Sequence, residues 1–332
     1  MQSHVHPLTG HDGEPLAMDV AREGPADTAA VLLISSACHG VEGFCGSGVQ
    51  VALLRDAAWH DSVRGSACAV LYVHALNPHG FSYWRRTTED NVDLNRNWHD
   101  FSAPLPDNPG YDELASALVP DTWPEPPEAA RRLVAYAERH GERALQTAWS
   151  GGQYRHPDGI FYGGQRATWS QDTLRRVLRE HGQRCRRLGW IDLHTGLGPS
   201  GHGERIFACR DDARALARAQ AWWGPALTSI YDGSSTSALL RGLMWIAAEQ
   251  ECPQAEHTGM ALEFGTLPLA EVRDALRADA WLRREPLRGA AQRDKIRRRL
   301  RDAFYTDTDA WKRQVFAQSR EAALQALHGL AA

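Results

Sequence analysis

An apolar run followed by a loop with histidine and glutamate constrains the fold of this chain more than any other stretch. Residues Ala29 to Ile34 (AAVLLI) have the uninterrupted apolar character of a fully buried strand. The loop from Cys38 to Gly43 (CHGVEG) follows, and an amphipathic stretch at 49–55 comes after it. This order of strand, tight loop and helix is typical of an α/β sheet, which carries its chemistry at the carboxyl ends of its strands.

His39 and Glu42 in this loop form part of a candidate metal site. Their His-x-x-Glu spacing supplies an imidazole nitrogen and a carboxylate, which are both groups that bind zinc. A third ligand must come from elsewhere, because a catalytic zinc site uses three protein ligands and keeps one position open. Alone, the pair is also consistent with a hydrogen-bonded core histidine and a carboxylate that stabilises a helix start.

The composition excludes several classes of function. The chain has 332 residues, of which 43% are hydrophobic and 23% charged, as in a globular enzyme-sized protein. A net charge of −4 provides no basic surface for nucleic acid. No apolar run approaches the roughly 18 residues of a membrane span, so we predict neither nucleic-acid nor membrane binding. The polar start lacks a signal-peptide pattern and predicts a cytoplasmic location.

Further apolar and periodic runs predict one α/β domain over residues 1–332. Additional strands are predicted at 67–75, 188–193, 205–209 and 260–264. Helices are predicted at 133–149, 169–185 and 213–223, and as C-terminal helices within 269–332. Residues 1–28 are predicted to be a lead-in with at most one edge strand. The proline-rich stretch 101–127 is predicted to be largely loop within an inserted excursion.

Polar residues at the later strands can complete the site. His194 directly follows the strand 188–193, where it can supply the third ligand. Glu263 interrupts the apolar run MALEF, where a charge is costly unless it is paired or functional. Burial raises the pKa of such a carboxylate toward useful basicity, so Glu263 is the candidate general base.

Five motifs resemble those of a known group of enzymes. They are HGVEG at 39–43, WRRT at 84–87, NVDLNRNW at 91–98, the histidine at 194 and LEF at 262–264. In this order they resemble the zinc carboxypeptidase clan, which covers carboxypeptidase A-type enzymes and the aspartoacylase and succinylglutamate desuccinylase deacylases. HGVEG together with DLHTGLGP at 192–199 is most similar to a bacterial branch of that clan.

The resemblance implies the residues of the metal centre. His39, Glu42 and His194 match the zinc ligands of the clan, with one Zn²⁺ per chain as the cofactor. Asp93 matches the aspartate that hydrogen-bonds a ligand imidazole and fixes its tautomer. Glu263 matches the general base and acid.

It also implies the residues that hold the substrate. Arg85 matches the arginine that polarises the scissile carbonyl and stabilises the oxyanion. The resemblance leaves open whether Arg85 or Arg86 occupies the oxyanion position. With Arg85 in that position, Arg86 is expected to contact the substrate. Asn95 and Arg96 match the pair that binds the substrate's terminal carboxylate, and Tyr231 resembles the mobile tyrosine of the carboxypeptidases. Each arginine is alternatively an ordinary salt-bridging residue, and Tyr231 an ordinary interface tyrosine.

The implied fold is a mixed, mostly parallel twisted sheet of about eight strands with helices on both faces. The implied activity is zinc-dependent hydrolysis of an amide or peptide bond next to a free carboxylate, in a small peptide or N-acyl amino acid. Within this chemistry, an N-acyl-amino-acid deacylase of the aspartoacylase type is the alternative to a carboxypeptidase. A catalytically inactive zinc-binding module is an alternative of another class, although such a module needs neither Glu263 nor Arg96.

Overall fold

One mixed sheet organises the computed structural model, which describes residues 1–332. Its seven strands are β1 (Gln2–Thr9), β2 (Pro15–Glu23), β3 (Ala30–Ser35), β4 (Ala69–His74), β5 (Arg187–Ser200), β6 (Gly203–Phe207) and β7 (Glu256–Gly265). Their spatial order is β1-β2-β4-β3-β5-β7-β6. The central strands β4, β3, β5 and β7 are parallel, while β1, β2 and β6 pair antiparallel. The predicted fold class is confirmed, with seven strands in place of about eight.

Helices cover both faces of this sheet. They are α1 (Gly43–Leu53), α2 (Ala57–Ser66), α3 (Pro78–Ser82), α4 (Pro109–Leu118), α5 (Pro127–His140), α6 (Glu142–Ser150), α7 (Trp169–Gly182), α8 (Ala213–Trp223), α9 (Ile246–Glu251), α10 (Leu269–Arg284), α11 (Arg293–Phe304) and α12 (Asp309–Ala331). On one face, α1, α2, α8 and α12 pack against side chains such as Leu32 and Leu262. On the other, α7 and α9 pack against Leu33 and Trp190. None of the helices combines the length and apolar content that a membrane span requires.

The predicted lead-in at 1–28 is instead a hairpin that extends the sheet. β1 pairs with β2, and β2 pairs with β4, so both strands belong to the sheet edge. Met18 and Val20 alternate with more exposed residues in β2, which is the pattern of a half-buried strand. β1 buries His4 and His6 in place of apolar side chains, which conceals its alternation in the sequence.

The proline-rich excursion and the C-terminal helices form a third buried cluster. It joins Tyr111 of α4, Trp149 of α6, Leu276 of α10 and Phe304 of α11. Val41, in the loop after β3, belongs to the same cluster, so these helices lie beside the carboxyl ends of the parallel strands. The prediction that residues 101–127 are largely loop is confirmed outside α4, which buries an apolar face there.

Candidate active site

The loop after β3 and the strand β5 bring the three predicted metal ligands together. His39 and Glu42 belong to this loop, and His194 lies in β5, the strand beside β3. All three are buried, at no more than 4% exposure. One ligand-type atom from each residue lies within 4.8 Å of the other two.

Both imidazoles face the same carboxylate. Nδ1 of His39 lies 2.8 Å from Oε1 of Glu42, and Nδ1 of His194 lies 3.0 Å from Oε2. The backbone N–H of Thr195 donates to Oε2 as well, at 3.1 Å, which fixes the carboxylate. Two imidazole nitrogens and one carboxylate thus converge, and this is a ligand set of catalytic zinc sites.

A further carboxylate holds the far side of each imidazole. Nε2 of His39 lies 3.1 Å from Oδ1 of Asp93, and Nε2 of His194 lies 2.6 Å from Oδ2 of Asp192. A carboxylate in this position favours the proton on Nε2 and leaves Nδ1 with a free lone pair. Asp93 therefore lies where the resemblance implied, against a candidate ligand.

Asp192 is a site residue that we did not predict from the sequence. Side chains alternate along β5, so Trp190, Asp192 and His194 project to the same face of the sheet. The Ser35 hydroxyl donates to Oδ1 of Asp192 at 2.5 Å, while Oδ2 faces the imidazole. An Asp-x-His pattern at the end of a predicted strand is the signal that would have revealed it.

The charges of these groups shift their pKa values in opposite directions. Burial disfavours the charged carboxylate of Glu42, but the neighbouring His39, His194 and Arg86 lower its pKa overall. Burial likewise disfavours the charged imidazole of His194, but Asp192 and Glu42 raise its pKa. The centre therefore holds its carboxylate ionised and attracts positive charge, which is the electrostatic setting of a cation site.

The imidazole nitrogen of His39 that faces Glu42 lacks a hydrogen bond. This Nδ1 is buried and has no hydrogen-bond partner, although Oε1 of Glu42 is 2.8 Å away. A buried polar atom without a partner is costly, and a bound cation satisfies it. The donor set and this unpartnered atom fit a divalent metal, and a His/Glu/His set favours zinc.

Replacement of Asp192 by Asn should weaken metal binding without removing a ligand. Asn retains the volume, but its neutral amide holds the proton on Nε2 of His194 less strongly, so the imidazole is less basic. We expect the zinc affinity to fall about 10–100-fold, measured by competition with a chromogenic chelator. The exposed Asp211→Asn is the control, and an unchanged affinity in Asp192→Asn would show that Asp192 does not support the metal centre.

Glu263 lies beside His194 on the neighbouring strand. The register of β5 and β7 pairs these two residues, so both side chains project into the same cavity. Oε1 of Glu263 accepts a hydrogen bond from the backbone N–H of Leu197 at 3.0 Å. Burial, and then the charge of Glu42, raise the pKa of Glu263 to about 8. A carboxyl group with a pKa near neutrality is suited to accept and return a proton.

Arg86, and not Arg85, lies in the cavity. Nη1 of Arg86 donates to Oε1 of Glu42 at 2.8 Å, and Nε donates to Oδ2 of Asp93 at 2.9 Å. Arg85 instead donates through Nη2 to Asp279 of α10 at 3.0 Å. Arg85 is therefore held outside the cavity by this ion pair, whereas Arg86 faces the candidate ligands. The structure thus brings Arg86, and not Arg85, to the candidate metal ligands, and the oxyanion role of Arg85 stays a prediction from the resemblance.

Arg86 brings positive charge directly to the candidate ligands. Its Nη2 lies 2.8 Å from Nε2 of His39, the nitrogen that also faces Asp93. Its guanidinium carbon lies 5.0 Å from the ring centroid of Phe161, a cation–π contact. Arg86 and Asp93 thus compete for one imidazole nitrogen.

Asn95 and Arg96 line the same cavity, but some of their polar atoms already form hydrogen bonds within the protein. Arg96 donates through Nε and Nη2 to the carbonyl of Ser150, at 3.0 and 2.6 Å, and through Nη1 to the carbonyl of Asn95 at 2.9 Å. Oδ1 of Asn95 accepts from the backbone N–H of Met244 at 3.0 Å. Each terminal nitrogen of Arg96 retains one N–H for a ligand.

Tyr231 lies outside this cavity. Its hydroxyl donates to the carbonyl of Cys209 at 2.9 Å, and its ring packs 6.3 Å from that of Phe207. The preceding residue, Ile230, lines the cavity in its place. The structure thus does not bring Tyr231 to the candidate site, because its hydroxyl is held by a backbone carbonyl and it does not line the cavity.

The excursion and the C-terminal helices close the cavity. Its walls include Trp149 of α6, Val272 and Leu276 of α10, and Phe304. The hydroxyl of Thr195 donates to the carbonyl of Phe304 at 2.7 Å, which ties the end of α11 to the strand that carries His194. We assigned no site role to these helices from the sequence, because their apolar residues have ordinary helical periodicity.

The fold and the site define an α/β protein with a candidate metal centre, in which a buried His-Glu-His set meets a glutamate from the adjacent strand. The chain belongs to a family described as proteins of unknown function (DUF2817), whose model matches residues 1–318. No curated protein matches the chain.

Solved structures similar to this chain include carboxypeptidases and deacylases. Carboxypeptidase A from Helicoverpa armigera is 12% identical, with 91% of this chain and 69% of that chain covered and a TM-score of 0.44. A succinylglutamate desuccinylase from Silicibacter sp. TM1040 is 15% identical, with coverages of 83% and 62% and a TM-score of 0.42. A murein-tripeptide amidase from Escherichia coli O157 is 16% identical, with coverages of 82% and 87% and a TM-score of 0.39. The groups that the sequence motifs resemble are thus among the structures found.

Proposed function

We propose that this protein is a zinc-dependent hydrolase that cleaves an amide or peptide bond next to a free carboxylate, as carboxypeptidases do. The observation that carries the proposal is the meeting of His39, Glu42 and His194 with Glu263 in one buried cavity. A module that only binds metal needs the first three residues but has no use for a carboxylate with a raised pKa beside them.

Three residues of this chain would hold the metal. His39 and His194 would bind it through Nδ1 and Glu42 through its carboxylate, while Asp93 and Asp192 orient the imidazoles. A bound zinc ion supplies Lewis-acid activation of a water molecule and of the substrate carbonyl. The ordered carboxylates around the imidazoles keep both Nδ1 atoms aimed at the same point.

Glu263 is proposed as the general base and acid. Its Oε1 is held by the N–H of Leu197, so the other oxygen is available to take a proton from the attacking water. The same carboxyl group then returns this proton to the leaving nitrogen as the amide bond breaks. Its raised pKa supports both steps, because the group exchanges a proton near neutral pH.

Arginine side chains are proposed to bind the negative charges of the substrate. Arg86 lies against Glu42 and can turn its guanidinium to the carbonyl oxygen as negative charge develops there. Arg96, with the amide of Asn95, is proposed to bind the carboxylate next to the scissile bond through its remaining N–H groups.

The size of the cavity favours a short substrate, which also keeps an N-acyl-amino-acid deacylase as the second candidate. The cavity has a volume of about 120 Å³ and is bounded by α6, α10 and the end of α11. For comparison, an apolar cavity of about 150 Å³ binds benzene. A single side chain or a short acyl group matches this space, so small peptides and N-acyl amino acids are the substrate classes to test.

A turnover panel with a chelator tests the proposed function. Its substrates are N-blocked dipeptides, longer peptides and N-acetyl amino acids, each assayed with chelator and again after zinc is restored. We expect release of a C-terminal residue from blocked dipeptides, lost with chelator and recovered with zinc. Preference for N-acetyl amino acids would assign the deacylase, and zinc-loaded protein without turnover on any substrate would contradict the proposal.

A further inference from the structure

Arg273 lines the catalytic cavity without a protein partner for its charge. It lies in the second turn of α10 and is half-buried. No carboxylate lies within ion-pair distance of its guanidinium, and no protein atom accepts a hydrogen bond from it. Glu142 is the one acidic residue whose charge supports it, and burial nevertheless lowers the pKa of Arg273.

The other two arginines of the cavity are already held by the protein. Arg86 donates to two carboxylates, and Arg96 donates to backbone carbonyls at three of its nitrogens. Arg273 thus differs from both, since all of its N–H groups remain available to a ligand. A partly desolvated cation without a counter-ion is unfavourable, and an anionic ligand removes that cost.

Stacking holds Arg273 in place without using its hydrogen-bond donors. Its guanidinium carbon lies 5.3 Å from the ring centroid of Trp149, which is itself buried. A cation–π contact of this kind leaves the planar N–H fork free for a carboxylate. The side chain is thereby positioned for a ligand before the ligand arrives.

Arg273 and Arg96 approach the same end of α6. Arg273 stacks on Trp149, and Arg96 binds the carbonyl of Ser150, the next residue. Both arginines line one cavity, so a single short substrate can reach the two at once. Arg96 is proposed to bind the carboxylate next to the scissile bond, which leaves Arg273 to recognise a separate group.

We propose that Arg273 binds a second carboxylate of the substrate, and that the enzyme therefore prefers substrates with an additional acidic side chain or acyl group. This inference rests on the proposed function, because it assigns a substrate class to the same cavity. The fork of the guanidinium matches a carboxylate with two parallel hydrogen bonds. Arg273 thus acts as a specificity residue, separate from the groups that act on the scissile bond.

Matched acid and amide substrates test the inference. The first pair is N-acetyl-Glu-Leu against N-acetyl-Gln-Leu, and the second is N-acetyl-Leu-Glu against N-acetyl-Leu-Gln, so the extra carboxylate lies on either side of the scissile bond. In the wild type we expect the acid member of one pair to have a kcat/KM about 10–100-fold higher, mainly through KM. Arg273→Gln should bring this ratio close to one, and Arg273→Lys should give an intermediate ratio.

The control is another arginine of α10 that does not line the cavity. Arg283 pairs with Asp158 outside the cavity, so Arg283→Gln should keep the wild-type ratio. Melting temperatures of all variants establish that they are folded. Equal ratios in wild type and Arg273→Gln for both pairs would overturn the inference.

A binding measurement separates this inference from the proposed function. Zinc-loaded Glu263→Gln protein, with and without Arg273→Gln, is titrated calorimetrically with the same four peptides. Tighter binding of an acid member that disappears with Arg273→Gln supports the role of Arg273, even where the wild type shows no turnover and hydrolysis is rejected. Equal binding of acid and amide members, or no binding of any of the four, overturns the inference.

Discussion

Glu263→Gln should abolish turnover while the protein keeps its zinc. Gln has nearly the same size and can still accept the hydrogen bond from Leu197, but it cannot take a proton from water. We expect kcat to fall by about two to four orders of magnitude, the usual range for loss of a general base. Zinc content should match the wild type, because Glu263 is not among the three proposed ligands. The measurements are steady-state kinetics and metal analysis on the same preparation.

A glutamate from the exposed end of the same strand provides the control. Glu256 begins β7 and pairs with Arg218 away from the cavity, so Glu256→Gln should keep the wild-type kcat within about twofold. Turnover retained by Glu263→Gln would remove this residue as the base. Simultaneous loss of zinc and turnover would point to Glu263 as a ligand.

Substitution of the two adjacent arginines should affect different properties, turnover for Arg86 and stability for Arg85. Arg86→Gln removes the guanidinium that contacts Glu42 in the cavity, so we expect kcat to fall about 10²–10³-fold, as on loss of one oxyanion donor. Arg85→Gln leaves the cavity intact but deprives Asp279 of its partner. We expect that variant to retain turnover and to lose about 1–3 kcal/mol in the free energy of unfolding.

Denaturant unfolding and kinetics on both variants distinguish the two roles. Arg85→Gln, which we expect to be less stable but active, is the control for any general effect of losing an arginine from this segment. Loss of turnover in Arg85→Gln with full activity in Arg86→Gln would support the register that the family resemblance implies, and would contradict the assignment made from the cavity.

The convergence of His39, Glu42 and His194 could be predicted from the sequence because each of them follows an apolar run that indicates a buried strand. Apolar runs identify such strands, and parallel strands carry their carboxyl ends to one edge of the sheet. Glu263 was predictable for a related reason, since a lone carboxylate within an apolar strand needs a specific role. The positions of the strands in the sequence, together with their parallel direction, thus determine which residues meet.

Side-chain direction in irregular segments could not be predicted in the same way. Whether Arg85 or Arg86 faces the cavity depends on tertiary hydrogen bonds of the WRRT segment, which leave no periodic pattern. Tyr231 lies in a loop of the same kind, and its hydroxyl finds a backbone carbonyl nearby. Arg273 lies on an amphipathic helix, where one arginine among several has no signal in a single sequence. Such residues are assigned only when their neighbours in space are known.

Zinc content of wild-type protein and of His194→Ala is the measurement that tests the metal centre most directly. Both proteins are loaded with zinc, freed of excess ion and analysed for metal per chain. We predict about one zinc per chain in the wild type and a nearly complete loss in His194→Ala, because a three-ligand site does not survive the removal of one imidazole. His202→Ala, which alters an exposed histidine in a nearby loop, should retain the wild-type content. Wild-type protein without zinc, or equal zinc in His194→Ala, would contradict the proposed metal centre.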